Sequence, residues 1–244
     1  MSDKIAGRNP VIEALKSGRD IEKILLVEGT KGRADDIVAL ARERKVPFSF
    51  VEKEKIDKLV ETKKHQGVLA FVSAYQYSLL DDVFDLAESR GEDPFLVILD
   101  DIEDPHNLGA IIRTAECAGV HGVIIPKRRA AGLTEAAVKA SAGAIEYMPC
   151  VRVSNIAQTV DELKKRGLWI AACDMGDDLY YQADLKGPIG IVIGNEGKGI
   201  SRLVGEKCDF KVSIPMKGQM NSLNASNAAA IVIYEIRRQR DVQR

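Results

Sequence analysis

The chain has 244 residues, 45% hydrophobic and 29% charged, with a formal net charge of −1. That length holds one large domain or two modest ones, the composition fits a globular protein, and the near-zero charge excludes an overall basic field that would draw the whole chain onto nucleic acid. The polar start MSDKIAGRNP is no secretory signal and no apolar run approaches the ~18 residues of a membrane span, so no membrane partner and a cytoplasmic location are expected.

Residues 1–75 carry a slight basic excess and alternate helix and strand signals. Pro10 suits the first turn of a helix running through Val11–Lys16. Ile24–Val27 reads as a strand, Arg33–Arg44 as a helix with Ile37, Val38, Leu40 and Ala41 on its apolar side, and Phe48–Val51 as a strand. Lys53–Val60 is a short charged helix and Gly67–Ser73 a further strand. This αβαβαβ order predicts a small three-layer domain. Ala74–Pro94 is acidic and lacks strand character, with one amphipathic helix available to Leu79, Val83, Phe84, Leu86 and Ala87. A domain boundary is expected there, with 76–94 as linker and 95–244 as the second domain.

From Phe95 strand and helix alternate. Phe95–Leu99 is a strand, and Asn107 is placed to cap a helix that ends at Ala118 before Gly119. Gly122–Ile125 is a strand ended by Pro126, followed by the basic loop Lys127-Arg128-Arg129 and a helix over Thr134–Ser141. Tyr147–Val151, interrupted by Pro149, reads as an edge strand. Asn155 caps a helix to Arg166, and Leu168–Cys173 is a strand. Ile189–Ile193 is an apolar run of the buried parallel type, and Lys211–Ile214 a last strand closed by Pro215. The loop Met216–Asn221 leads to a helix that is apolar on nearly every side from Ala228 to Tyr234, which predicts burial. The pattern predicts an α/β domain with a parallel sheet.

Two strand ends thus carry polar, glycine-containing loops, where open α/β sheets bind ligands. The loop Gly194-Asn195-Glu196-Gly197-Lys198-Gly199 is neither a Walker loop, which needs a hydroxyl after Lys, nor a GxGxxG fingerprint. Its glycines allow backbone to approach a flat ligand. Ser222, Asn224, Ser226 and Asn227 supply more polar groups than one helix cap requires. Arg113 interrupts the apolar stretch AIIRTAECA, where a guanidinium calls for an anionic partner or a polar cleft; read blandly, it is a surface cation and Asn107 only a cap. Lys127, Arg128, Arg129, Arg237, Arg238 and Arg240 are candidate phosphate contacts or plain solvated charges. The scattered Cys117, Cys150, Cys173 and Cys208 read as buried reduced thiols, and His65, His106 and His121 lack metal-ligand spacing, so no metal site is expected.

Three motifs carry a resemblance: Asp104-Pro105-His106-Asn107-Leu108-Gly109-Ala110-Ile111-Ile112-Arg113-Thr114-Ala115, then Gly194–Gly199, then Ile214-Pro215-Met216 with Ser222-Leu223-Asn224-Ala225-Ser226. In this order they resemble the SpoU branch of the SPOUT class of RNA methyltransferases, which methylates ribose 2′-hydroxyls. The resemblance implies a C-terminal domain with a deep trefoil knot, homodimers through that domain, and S-adenosylmethionine held by main-chain groups at Gly194, Ile214 and Leu223. It also implies active-site roles for Asn107, Arg113, Glu196, Asn224 and Ser226, with Arg113 acting on the ribose hydroxyl either as base or as an electrostatic and phosphate clamp. Ile5–Val11 and His65-Gln66-Gly67-Val68 resemble the ribosomal-protein-like substrate-binding domain of many SpoU enzymes. That domain points to structured RNA, with a guanosine of 23S ribosomal RNA as the expected target. Transfer RNA is the alternative enzyme substrate, and a non-catalytic RNA-binding protein of the same fold the alternative class.

Overall fold

The computed structural model describes residues 3–17, 20–29, 34–60, 65–72, 75–176 and 178–242. It forms two compact units, Met1–Gln76 and Tyr77–Arg244. Arg33 and Ala74, which open expected segments, and Ser73, which closes one, lie outside the described residues. Among the described residues no helix is long and apolar enough to cross a membrane, and no cluster of His, Cys, Asp or Glu is arranged to hold a metal ion.

The first unit contains β1 (Asp3–Ala6), α1 (Arg8–Lys16), β2 (Ile21–Val27), α2 (Ala34–Glu43), β3 (Phe48–Val51), α3 (Lys53–Asp57) and β4 (Val68–Val72). The sheet order is β1-β4-β2-β3, with only β2 and β3 parallel. Alternation along the strands sorts side chains by face. Ile24, Leu26, Val68, Ala70 and Val72 pack with Val11, Leu15, Ile37 and Ala41 of α1 and α2, while Leu25 and Leu69 meet Ile56 of α3 on the other face. Three layers result, with β1 an additional strand. Its sequence DKIA is half polar, and it draws its ladder from β4. The two segments Ile5–Val11 and His65–Val68 come together: the Gly7 amide donates to Val68 O at 3.0 Å and the Arg8 amide to Gln66 Oε1 at 3.2 Å.

The second unit contains α4 (Leu80–Arg90), β5 (Phe95–Leu99), α5 (Pro105–Cys117), β6 (Gly122–Pro126), α6 (Glu135–Ser141), β7 (Cys150–Val153), α7 (Ile156–Lys165), β8 (Trp169–Cys173), β9 (Ile189–Ile193), α8 (Arg202–Lys207), β10 (Phe210–Val212) and α9 (Ala225–Val242). All six strands are parallel, in the order β10-β8-β9-β5-β6-β7. The central runs FLVIL and IGIVI are buried at every position because helices cover both faces. One face packs Leu96, Ile98, Ile124, Ile170 and Val192 against α4, α7 and α8.

Several boundaries differ from the sequence reading. Residues 77–94 are part of the second unit rather than a connector, because Val83 of α4 is fully buried in its core. Helix α5 is capped by Asp104, whose Oδ1 accepts the His106 amide at 2.9 Å with Pro105 in the first turn, so Asn107 is free for other partners and lies buried inside the helix. Strand β7 starts only after Pro149, a short 3-10 turn taking up Ala144–Glu146. Strand β10 ends at Val212 because Ser213 pairs instead with the segment at Asp178 and Tyr180. Helix α9 buries Ala229, Val232, Ile233 and Ile236, yet Tyr234 is 50% exposed, so in this chain the helix has an outer face. Cys117 is exposed at the end of α5, unlike buried Cys150.

Candidate active site

The site lies beyond the carboxyl ends of β5, β8 and β9, as parallel sheets dictate. A cavity of about 380 Å³ is lined there by Gly194, Glu196, Ile214, Leu223 and Ala228, among others. Ligand sites commonly span about 300–1,000 Å³ and combine apolar walls with a few polar groups. Here Ile193, Ile214, Met216 and Leu223 offer apolar surface beside Asn195, Asn221 and Ser222. The three expected cofactor residues Gly194, Ile214 and Leu223 all face this cavity. Gly194 admits no side chain: a Cβ would stand 2.3 Å from Gly199 C and 2.4 Å from Ile200 N. The loop 194–199 folds back there through paired backbone bonds between Asn195 and Gly199, of 3.0 and 2.8 Å.

Next to the cavity four of the five expected catalytic residues form one hydrogen-bonded group. Glu196 Oε1 accepts from Asn107 Nδ2, from Asn224 Nδ2 at 2.7 Å, and from the Ala225 amide at 3.4 Å. Asn224 Nδ2 also donates to Asn107 Oδ1 at 3.0 Å. Asn224 Oδ1 accepts the Ser226 amide at 3.0 Å and the Ser226 hydroxyl at 2.6 Å, so the same residue caps α9 and orients Ser226. Arg113 stands apart from this group. It is exposed on α5, and no hydrogen bond or ion pair holds it among the described residues. Its neighbours Ile111, Ile112 and Ala115 turn into the core and leave the guanidinium outside, so the apolar surroundings read in the sequence do not enclose it.

Three residues had no role assigned in the sequence reading, Asn195 being named there only as part of its motif. Asn195 donates from Nδ2 to Asp101 O at 2.9 Å and accepts the Gly197 and Lys198 amides at 2.9 and 3.2 Å. Asp100, 5% exposed, accepts the Ser201 amide at 2.7 Å. Asp101 holds a left-handed backbone, φ 58°, and its carboxyl pKa is raised, first by burial and then by the charge of Asp100. An Asn beside Gly was the available signal, since Asn readily bonds backbone amides two residues on. Cys173 in the cavity wall has its thiol pushed up to about 11 by burial and then by Asp174, so it is protonated at neutral pH and a poor nucleophile.

The motif-one helix is set by small residues. A Cβ on Gly109 would meet Ala137 O at 2.3 Å, which shows how closely α5 and α6 approach. Of the candidate RNA cations, Arg237 pairs with Asp241 at 2.7 Å and Arg238 with Glu235 at 2.7 Å. Arg240 grips the carbonyls of Asp93, Pro94 and Gly187 and lies over the Phe95 ring at 4.9 Å. These three have structural partners, while Arg128 and Arg129 are exposed in their loop.

Residues 94–234 match the model of the SpoU rRNA Methylase family, and residues 4–78 match that for RNA 2′-O ribose methyltransferase substrate binding. The chain belongs to the SpoU rRNA methylase family. It is an RNA 2′-O-methyltransferase of the SpoU/TrmH type. A Bacillus subtilis (strain 168) protein assigned to the TrmH family of tRNA/rRNA methyltransferases, YacO, is 48% identical, the match covering 98% of this chain and 96% of that protein. Among solved structures, the SpoU methyltransferase AviRb from Streptomyces viridochromogenes in complex with AdoMet has a TM-score of 0.62 at 28% identity, over 98% of this chain and 90% of that one. The AdoMet-bound rRNA methyltransferase from Sinorhizobium meliloti has a TM-score of 0.60 at 25% identity, over 96% and 86%.

Proposed function

We propose that this SpoU-family enzyme takes its methyl group from S-adenosylmethionine and places it on the ribose 2′-hydroxyl of a guanosine in 23S ribosomal RNA. The observation that carries the reading is the abutment of a cavity lined by Gly194, Ile214 and Leu223 on the polar group Asn107–Glu196–Asn224, with Glu196 belonging to both. The apolar walls and the bare backbone at Gly194 fit an adenosyl group, and two relatives of the same fold bind AdoMet. The cofactor supplies a methyl group on a sulfonium.

The chain's own residues position and stabilise. Gly194, Ile214 and Leu223 hold the ligand through main-chain groups, and Asn107, Glu196, Asn224 and Ser226 fix the rim of the site. Arg113 is the cation assigned to the ribose oxygen and its phosphate. Its guanidinium holds its protons too tightly to serve well as a base, so charge stabilisation is the better role. Ribosomal RNA is favoured because the N-terminal unit carries a substrate-binding match and the S. meliloti rRNA methyltransferase aligns along 96% of this chain. The same reading carries a cytoplasmic homodimer joined through the second unit, supported by exposed Tyr234 on α9. It also carries the trefoil knot that the family resemblance implies.

The test is a map of 2′-O-methyl sites in ribosomal and transfer RNA from cells with and without the protein. A single guanosine of the large-subunit RNA is expected to lose its mark. Loss confined to transfer RNA would move the target to the alternative, and no change in any RNA would leave the non-catalytic reading.

A further inference from the structure

The loop 194–201 is tied to the end of β5 at two points. Asp100 Oδ2 accepts the Ser201 amide at 2.7 Å, and Asp101 O accepts Asn195 Nδ2 at 2.9 Å. Asp101 adopts its left-handed φ of 58° beside this second tie. The other end of the Asn195 amide, Oδ1, receives the amides of Gly197 and Lys198 at 2.9 and 3.2 Å. Both ends of one side chain are therefore occupied, one shaping the loop and one fastening it to the neighbouring strand.

Glu196 is the next residue. It is exposed, and the contacts that hold its carboxylate all converge on Oε1, from Asn107, Asn224 and Ala225. A long exposed side chain loses rotamer freedom when it is held in one pose. A backbone already fixed at the right place adds no further ordering cost to that loss. We propose that Asn195 is a positioning residue of the methyl-transfer site: its two-ended side chain sets where Glu196 joins Asn107 and Asn224. Asn is suited to this by chemistry, since Asp keeps the acceptor but has no donor, and Ser is too short to span both partners.

The inference rests on the reading of the site as one for RNA methyl transfer, and its test has a readout that does not depend on activity. In the full-length protein, Asn195→Asp keeps the acceptor for Gly197 and Lys198 but sets a carboxylate oxygen against Asp101 O. The 15N side-chain amide signals of Asn107 and Asn224 are expected to shift towards solvent-exposed values. With S-adenosylmethionine and ribosomal RNA, kcat is expected to fall by ~10-fold or more, in line with the ~10²-fold that a displacement of about 1 Å costs, while KM for RNA stays within about twofold. In an Asn107→Ala background the same change is expected to cost less than about twofold further, because the group it positions is already broken. Asn195→Ser is read in the same way and replaces the first variant if that one unfolds. Unmoved amide signals, or an undiminished cost in the Asn107→Ala background, would overturn the proposal. If the unaltered protein methylates no RNA, the functional reading has failed, and the amide signals alone decide whether Asn195 places Glu196.

Discussion

Asn107 in the first turn of α5 and Asn224 at the start of α9 are 117 positions apart, yet their side chains meet at 3.0 Å and both donate to Glu196 Oε1. Three motifs distant in the chain thereby close on one carboxylate oxygen. Removing that oxygen takes an acceptor from the Asn107, Asn224 and Ala225 amides and leaves the Asn224 side chain only its bond to Asn107. Glu196→Ala is expected to lower methyl transfer by ~10²-fold. Unfolding stability should change by only about 1 kcal/mol, because Glu196 is exposed and water can replace it. Glu196→Gln offers an oxygen to the same donors without the charge and should recover part of the activity. Single-turnover assays with matched urea melts measure both quantities, and an alanine variant as active as the unaltered protein would remove Glu196 from the site.

Gly194→Ala tests the cavity wall. The added methyl would sit 2.3 Å from Gly199 C and 2.4 Å from Ile200 N, which are backbone atoms that cannot rotate away. The loop 194–199 must open. S-adenosylhomocysteine is expected to bind at least ~10-fold more weakly, a loss of about 1.4 kcal/mol. Calorimetry checks this, and unchanged affinity would place the cofactor elsewhere.

The parallel sheet was legible because FLVIL and IGIVI are uninterrupted apolar runs, the mark of strands covered on both faces. Strand β1 was not, because DKIA is half polar and its ladder partner β4 lies some 65 residues away, with Ala70 opposite Ile5. Asn107 was recognised by type and motif, but its placement as a cap missed Asp104, which takes that role and leaves the Asn107 amide to Glu196. The meeting of Asn107, Glu196 and Asn224 is a tertiary fact that no local pattern encodes. Only the motif resemblance anticipated that these residues share a site. Arg113 shows the opposite limit: its apolar neighbours in sequence point inward, so on a helix with two faces the apolar stretch does not by itself require an anionic partner or a polar cleft.

A pH dependence follows from His121, which is fully buried. Its Nδ1 accepts the Phe95 amide at 3.0 Å, so the neutral ring is the form that fits. Burial and then the charge of Arg90 press its pKa down from 6.5 to about 4; Arg240 adds to this, and Glu92, 3.3 Å from Nε2, opposes it. Between these values the unfolded chain binds a proton that the folded chain refuses, so stability rises with pH across that window. The contribution is complete above pH 6.5 and is lost as the pH falls towards 4. It amounts to roughly 3 kcal/mol at most. His121→Asn retains an acceptor for Phe95 and does not titrate. Urea titrations at several pH values should show a shallower loss for the variant, and equal slopes would refute the assignment.

Residues 77–244 are expected to fold without the first unit, since each unit has its own core. The truncated chain should bind S-adenosylhomocysteine within about threefold of the whole protein while its affinity for RNA drops by ~10-fold or more. RNA binding by the whole chain should weaken as salt rises, through release of counterions. Filter binding over a salt series compares the two, and equal RNA affinity would contradict the role proposed for the N-terminal unit.

Arg113→Ala is expected to abolish methyl transfer with little effect on folding. The side chain is exposed and has no partner among the described residues, so its removal strands no buried charge and breaks no bond. Its value must therefore lie in what it meets when RNA is present. As the ribose oxygen attacks, negative charge grows on it. A cation held nearby favours that transition state over the ground state, which is the condition for accelerating the step. Loss of one such group typically costs ~2.7–4 kcal/mol, about 10²–10³ in rate. Arg113→Lys keeps the charge but loses the planar fork that grips a phosphate at two points, and should recover little. Rates at saturating RNA and cofactor, taken with thermal melts, separate the outcomes. A variant that transfers methyl groups at near the unaltered rate, or that fails only because it has unfolded, would return Arg113 to the surface cations.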